Sequence, residues 1–187
     1  MKNKIKTIFC FFGSSDPSDD TSKFLDTVKD YKNIKINVLI GPTNKNYKKI
    51  KKNFKKKKNI KILFNLPNES IFYIIKKSDF SIGSGGVNML ERLFLRIPSI
   101  VICNADNQIN AIRELNKRKL IIYLGTNKKI KKTNIGNIVN HLLNNENKLR
   151  NITQRLNTYF NNFEKEYLLS KKLGLIINGL NSKKINV

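Results

Sequence analysis

Residues Asp79 to Gln108, DFSIGSGGVNMLERLFLRIPSIVICNADNQ, constrain the fold more than any other part of the chain. An apolar run holding Phe80 and Ile82 breaks into Gly83-Ser84-Gly85-Gly86. An amphipathic segment then carries Val87, Leu90, Leu93 and Phe94, and Pro98 precedes a second apolar run from Ser99 to Cys103. The order strand, glycine turn, helix, strand predicts a parallel βαβ unit, since parallel neighbours need a crossover between them. Glycines at the strand-to-helix junction let a ligand phosphate approach backbone N–H groups at the positive end of the helix.

The remaining chain repeats this alternation. Ile5 to Phe12 (IKTIFCFF) has the continuous β-rich form of a strand covered on both faces and ends in Gly13-Ser14-Ser15-Asp16-Pro17. Asp19, Asp20 or Thr21 suits the cap of a helix reaching Tyr31. Strands are predicted at Ile34–Ile40, Ile60–Phe64 and Leu120–Leu124, the first closed by Gly41-Pro42 and the last ended by Gly125. Helices are predicted at Asn44–Lys58, after the lead-in Leu66-Pro67-Asn68-Glu69 through Lys77, and at Asp106–Lys119, then at Ile135–Leu143, Lys148–Tyr167 and Leu168–Leu180, with frayed residues from Asn181. Right-handed crossovers convert such a chain into an α/β doubly wound parallel sheet of Rossmann type with a helical C-terminal tail. The expected organisation is a nucleotide-binding unit over residues 1–133 and a helical extension, 134–187, packed on it.

Composition narrows the partners. The 187 residues carry a net charge of +24, which ordinarily points to nucleic acid. Of the 37 basic residues, however, 31 are Lys and 6 are Arg, whereas base-edge and phosphate recognition favours the planar Arg fork. Asn (28) and Ile (26) are inflated with Lys while Ala occurs twice, so the charge is partly a compositional background and no specific nucleic acid is expected. Ten lysines lie between Lys45 and Lys61, around an apolar stripe of Tyr47, Ile50 and Phe54. That run reads as a solvated outer helix, or as a surface for contact with nucleic acid or, peripherally, an anionic membrane. No window approaches ~18 consecutive apolar residues, and Met1-Lys2-Asn3-Lys4 leads straight into a strand-like run, so a cytoplasmic protein is expected. Cys10 and Cys103 fall in predicted core strands as reduced thiols, and the single histidine, His141, has no Cys nearby. Neither metal nor cofactor is expected.

In an open parallel sheet, ligands bind beyond the carboxyl ends of the strands where strand order reverses. Gly13-Ser14-Ser15 and Ser84-Gly85-Gly86 would both face that crevice, which suits a diphosphate. A helix N-terminus contributes about 0.3–1 kcal/mol toward an anion, and each charge-assisted hydrogen bond about 1.5–3 kcal/mol. The paired glycines equally suit a plain tight turn, and neither G-x-G-x-x-G nor a P-loop is present. Glu91 falls one turn into the helix, where its carboxylate can accept a ribose diol or simply favour the helix N-terminus. Asp106-Asn107-Gln108 would form a third wall suited to sugar hydroxyls, or cap the next helix.

Taken together, FFGSSDP, SIGSGGVNMLE, PSIVICNADNQINA and IYLG resemble the C-terminal half of GT-B nucleotide-sugar proteins. The likeness is greatest to the pseudaminic acid pathway UDP-sugar hydrolase and spore-coat polysaccharide protein family, and more distant to MurG-type glycosyltransferases; it covers about residues 4–125. The resemblance implies that Gly13, Ser14, Ser84, Gly85, Gly86 and Val87 surround the diphosphate of a UDP-sugar. It further implies that Glu91 binds the ribose, with Asp106, Asn107 and Gln108 toward the sugar. Ser14 stands where the family commonly has a second glycine, and either Asn107 or Asn110 suits the amide role. Because the family's catalytic histidine lies in an N-terminal half, no catalytic residue is assigned in this chain. The expected function is the UDP-sugar-binding half of a hydrolase or glycosyltransferase of surface-glycan biosynthesis, completed by a separate N-terminal half. A non-catalytic lysine-rich interaction module, or an inactive truncated fragment, is the competing expectation.

Overall fold

A computed structural model describes residues 7–162. Six parallel strands form one sheet: β1 (Thr7–Phe11), β2 (Lys35–Ile40), β3 (Ile60–Phe64), β4 (Phe80–Ser84), β5 (Ser99–Cys103) and β6 (Ile122–Thr126). Their order is β3-β2-β1-β4-β5-β6, so the chain reverses direction across the sheet between β1 and β4. Helices α1 (Asp20–Val28), α2 (Tyr47–Phe54), α3 (Asn68–Lys76), α4 (Val87–Phe94), α5 (Ile109–Lys117) and α6 (Lys132–Asn144) connect and follow the strands, and a further helix, α7, covers 146–162. The expected strand residues Ile5 and Lys6, the end of the helix expected through Tyr167, and the one expected at Leu168–Leu180 lie outside the described residues.

Burial on both faces explains the continuous apolar runs. Ile8, Cys10, Ile36, Val38 and Ile82 pack with Phe24 and Leu25 of α1, Ile50 of α2, and Ile135 and Val139 of α6. On the opposite face, Phe9, Leu39 and Leu63 pack with Ile75 of α3. Val101 and Cys103 lie there against Met89 and Leu93 of α4 and Ile112 of α5, with Ile152 and Leu156 of α7. Cys10 and Cys103 are thus free, buried thiols in separate clusters.

Four local expectations are corrected. The helix after β1 is not capped by Asp19, Asp20 or Thr21. Asp16, 1% exposed, instead accepts the N–H groups of Asp20 (3.0 Å) and Thr21 (3.0 Å), while Asp19 is at the N-cap with a φ of 51°. The lysine helix α2 is shorter than Asn44–Lys58, because a stripe of Ile50 and Phe54 anchors only two turns. Strand β6 runs to Thr126 rather than ending before Gly125. Its register against β5 jumps between Val101 and Ile102, and Gly125, at a φ of 128°, takes the left-handed conformation of that irregularity. Finally, of the expected α4 stripe only Leu93 is buried, together with Met89 and Arg92, while Val87, Leu90 and Phe94 are 75%, 55% and 50% exposed.

Asp16 yields a stability prediction. Asp16→Ala removes the acceptor of two helix N–H groups and should lower stability by about 0.5–2 kcal/mol, read from the urea midpoint. Burial is the largest influence on the carboxyl and raises its pKa, against the opposing hydrogen bonds from Thr21 and Asp20. A raised folded-state value favours the folded protein fully below the ordinary carboxylate pKa of about 4, and that contribution is lost as pH rises through the folded value. Asp16→Asn should remove this component, seen as a wild-type-minus-variant difference in midpoint that shrinks on raising the pH.

Candidate functional site

Adjacency of β1 and β4 brings their following loops together. A Cβ on Gly13 would sit 3.5 Å from Ser84 Oγ, and Gly13 adopts a φ of 97° that disfavours any side chain. The first loop is supported from the β2 side: a Cβ on Gly41 would lie 2.4 Å from Ser14 Cα, and the Ser14 and Thr43 hydroxyls are 2.9 Å apart in a hydrogen bond. From the other side, Asn104 Nδ2 donates to Phe12 O at 3.3 Å, tying the end of β5 to the end of β1. The crevice therefore runs over the ends of three consecutive strands.

Helix α4 opens into this crevice. Gly86 occupies its N-cap position and no side chain caps the first turn. The positive end of the helix is left to other partners. Glu91 is half-buried and turned back toward that end, since its Oε2 accepts from Asn88 Nδ2 at 2.6 Å. Gln108 reaches over the glycines: a Cβ on Gly85 would be 3.3 Å from its Oε1, and one on Gly86 3.6 Å from its Nε2. The expected site residues Gly13, Ser14, Ser84, Gly85, Gly86, Glu91 and Gln108 thus lie at one end of the sheet, with Val87 exposed at the helix start.

Asp106 and Asn107 are exposed on a 3₁₀ turn, Asp106–Gln108, and neither caps α5; Gln108 holds that N-cap position without a capping side-chain bond. Of the three, Gln108 is the one whose side chain lies against Gly85 and Gly86.

Sequence reasoning missed Asn88, Asn104 and Arg92. Asn88 Oδ1, Asn104 Oδ1 and Gln108 Oε1 are buried acceptors without a partner. Such oxygens favour a ligand that brings hydroxyl or N–H donors. Arg92 is fully buried; its Nη2 donates to Ser84 O at 2.7 Å and its Nε to Asn88 O at 3.2 Å. Burial lowers its pKa to about 10. Spacing alone offers no signal for it, because an arginine between Glu91 and Leu93 reads as surface.

A separate open groove of about 640 Å³ lies between Arg118, Leu120 and α7 residues including Gln154 and Tyr159. Leu120 precedes β6, so this groove lies toward the N-terminal end of that edge strand, away from the carboxyl ends of β1 and β4.

A family described as a protein of unknown function (DUF354) matches residues 12–176 of the chain. The chain belongs to the DUF354 family. Among curated relatives, this DUF354 chain is 37% identical over 113 residues to the uncharacterized protein MJ1062 of Methanocaldococcus jannaschii. The match takes in 57% of this chain and 23% of the relative, so the DUF354 chain spans less than a quarter of that protein.

Solved structures share the fold. UDP-GlcNAc 2-epimerase from Neisseria meningitidis bound to UDP-GlcNAc superposes with a TM-score of 0.63 at 15% identity, over 81% of this chain and 39% of that one. The C-terminal CMP-Kdo binding domain of WaaA from Acinetobacter baumannii gives 0.60 at 13%, over 83% and 89%. The glycotransferase of kitacinnamycin gives 0.63 at 13%, over 89% and 43%. The DUF354 chain accordingly has an α/β Rossmann-like fold that matches GT-B domains. Among the described residues, no helix is long and apolar enough to cross a membrane.

Proposed function

We propose that this domain binds a UDP-sugar across the ends of β1 and β4, as the nucleotide-binding half of a GT-B-type enzyme acting at the anomeric carbon. The observation that carries the reading is the start of α4: an N-terminus with no capping side chain, entered through Gly85-Gly86, with Glu91 turned back toward it. A diphosphate meets the positive helix end, and the Glu91 carboxylate accepts hydrogen bonds from the ribose diol. The orphaned acceptors on Asn88, Asn104 and Gln108 favour a donor-rich sugar. Nucleotide-linked sugars are also the ligands named for two proteins of the same fold, UDP-GlcNAc for the Neisseria epimerase and CMP-Kdo for the Acinetobacter domain.

In either hydrolysis or transfer, the bond from the anomeric carbon to the diphosphate oxygen breaks and UDP departs. Charge growing on the diphosphate is stabilised by the α4 N-terminus. A base from the other half of the cleft activates water or an acceptor hydroxyl. A UDP-linked amino sugar of surface-glycan synthesis, of the pseudaminic acid kind, is the proposed substrate class, with a separate N-terminal half supplying that base.

Calorimetric and chemical-shift titration with UDP, UDP-GlcNAc and CMP tests the reading. Binding of the two uridine ligands, with shifts at Gly85, Gly86 and Glu91, is the expected result. No heat and no shift at millimolar UDP would sink it.

A further inference from the structure

We propose that Arg92 is a positioning residue for the diphosphate: a buried charge that strengthens the anion site from behind, through the Ser84 carbonyl, without touching the ligand. The inference rests on the nucleotide reading of the crevice and adds a residue that no sequence pattern marks.

The position itself is one the fold would fill with an apolar side chain. Arg92 sits on the sheet-facing side of α4 beside Met89 and Leu93, and is 0% exposed. Burying a guanidinium there is unfavourable unless something compensates the charge. Its hydrogen-bond partners are carbonyls, Ser84 O and Asn88 O, and Nη1 has none. Glu91, the adjacent carboxylate, bonds Asn88 instead. Room for the group is made by Gly83, where a Cβ would stand 2.8 Å from Nη1. The fold therefore holds a cation between the last residues of β4 and the first turn of α4, with no anion bonded to it.

What the charge can do follows from where it points. Ser84 O belongs to the Ser84–Gly85 peptide. A cationic donor on that oxygen draws electron density across the amide and makes the Gly85 N–H a stronger donor, in the manner of a polarised hydrogen-bond chain. The same charge lies behind the positive end of α4 and adds to its field. In a water-poor interior this field is weakly screened. An anion arriving over Gly85-Gly86 thus adds to the counter-charge of Glu91, which acts on Arg92 without bonding it.

The experiment compares UDP with uncharged uridine, by chemical-shift titration of wild type, Arg92→Met and Arg92→Lys. Arg92→Met should weaken UDP binding about ten- to a hundredfold, the range of a charge-assisted hydrogen bond, and leave uridine binding within about twofold. Arg92→Lys, which keeps the charge, should retain most of the UDP affinity. Unchanged UDP affinity in Arg92→Met overturns the proposal, as does an equal loss for UDP and uridine, the mark of a merely structural role. If Arg92→Met does not fold, Arg92→Gln replaces it with the same readout, since its amide can still donate to Ser84 O. A wild type that binds no UDP overturns the nucleotide reading and this proposal together; a wild type that binds UDP as tightly as Arg92→Met overturns this proposal alone.

Discussion

Gly83→Ala should destabilise the domain by about 3 kcal/mol or more and leave little cooperatively folded protein at room temperature. The added Cβ would lie 2.0 Å from Phe11 O and 2.9 Å from Phe11 C, both backbone atoms of the neighbouring strand, besides the 2.8 Å approach to Arg92 Nη1. Phe11 and Gly83 are directly paired in the β1–β4 register, so the carbonyl cannot yield without opening the centre of the sheet. Overpacking against movable side chains typically costs about 1–3 kcal/mol, and against a fixed ladder more. At Gly85, by contrast, the nearest atom to an added Cβ is the tip of Ile112, Cδ1 at 2.3 Å, which can change rotamer. Urea denaturation followed by circular dichroism reads the difference. A Gly83→Ala midpoint near that of wild type would mean that β1 and β4 do not pair as described.

Glu91→Gln should weaken UDP binding by about 1–3 kcal/mol while barely changing stability. The neutral amide loses the acceptor strength of the carboxylate toward a vicinal diol, whereas within the fold it only weakens one bond, which its amide oxygen can still accept from Asn88 in a half-buried position. A comparison with 2′-deoxy-UDP localises the effect. Wild type should prefer UDP over the deoxy ligand, and Glu91→Gln should lose most of that preference. Equal affinities of wild type and variant for UDP would remove Glu91 from the site and with it the ribose contact on which the UDP reading depends.

Much of the sheet was legible from local pattern. Ser99–Cys103 is a strand over the residues its apolar run predicts, because a strand buried on both faces needs an unbroken apolar segment; Ile60–Phe64 also matches its predicted bounds, as an edge strand that exposes Lys61 and Phe64. The strand order and the pairing of the Gly13 and Gly85-Gly86 loops also follow, since right-handed crossovers leave few ways to wind this alternation.

Boundaries and faces were harder, for identifiable reasons. Gly125 looks like a terminator, yet it serves a register change that depends on β5. Asp19 and Asp20 look like caps, but the carboxylate that reaches the helix amides comes from Asp16, bent back by the loop.

Fold class, switch point and the glycine-entered helix start are readable along the chain, because they depend on periodicity and on backbone freedom within a few residues. Which face of α4 is inside depends on long-range packing. Val87, Leu90 and Phe94 satisfy a helical period as well as Met89, Arg92 and Leu93 do. What selects the second set is long-range: the carbonyl at the end of β4 and the space above Gly83 accept a guanidinium, while Phe94 finds cover from Phe160 of α7, ring centres 5.9 Å apart. A side chain's charge is written in the sequence, but whether it is buried depends on atoms that the chain brings to it only on folding.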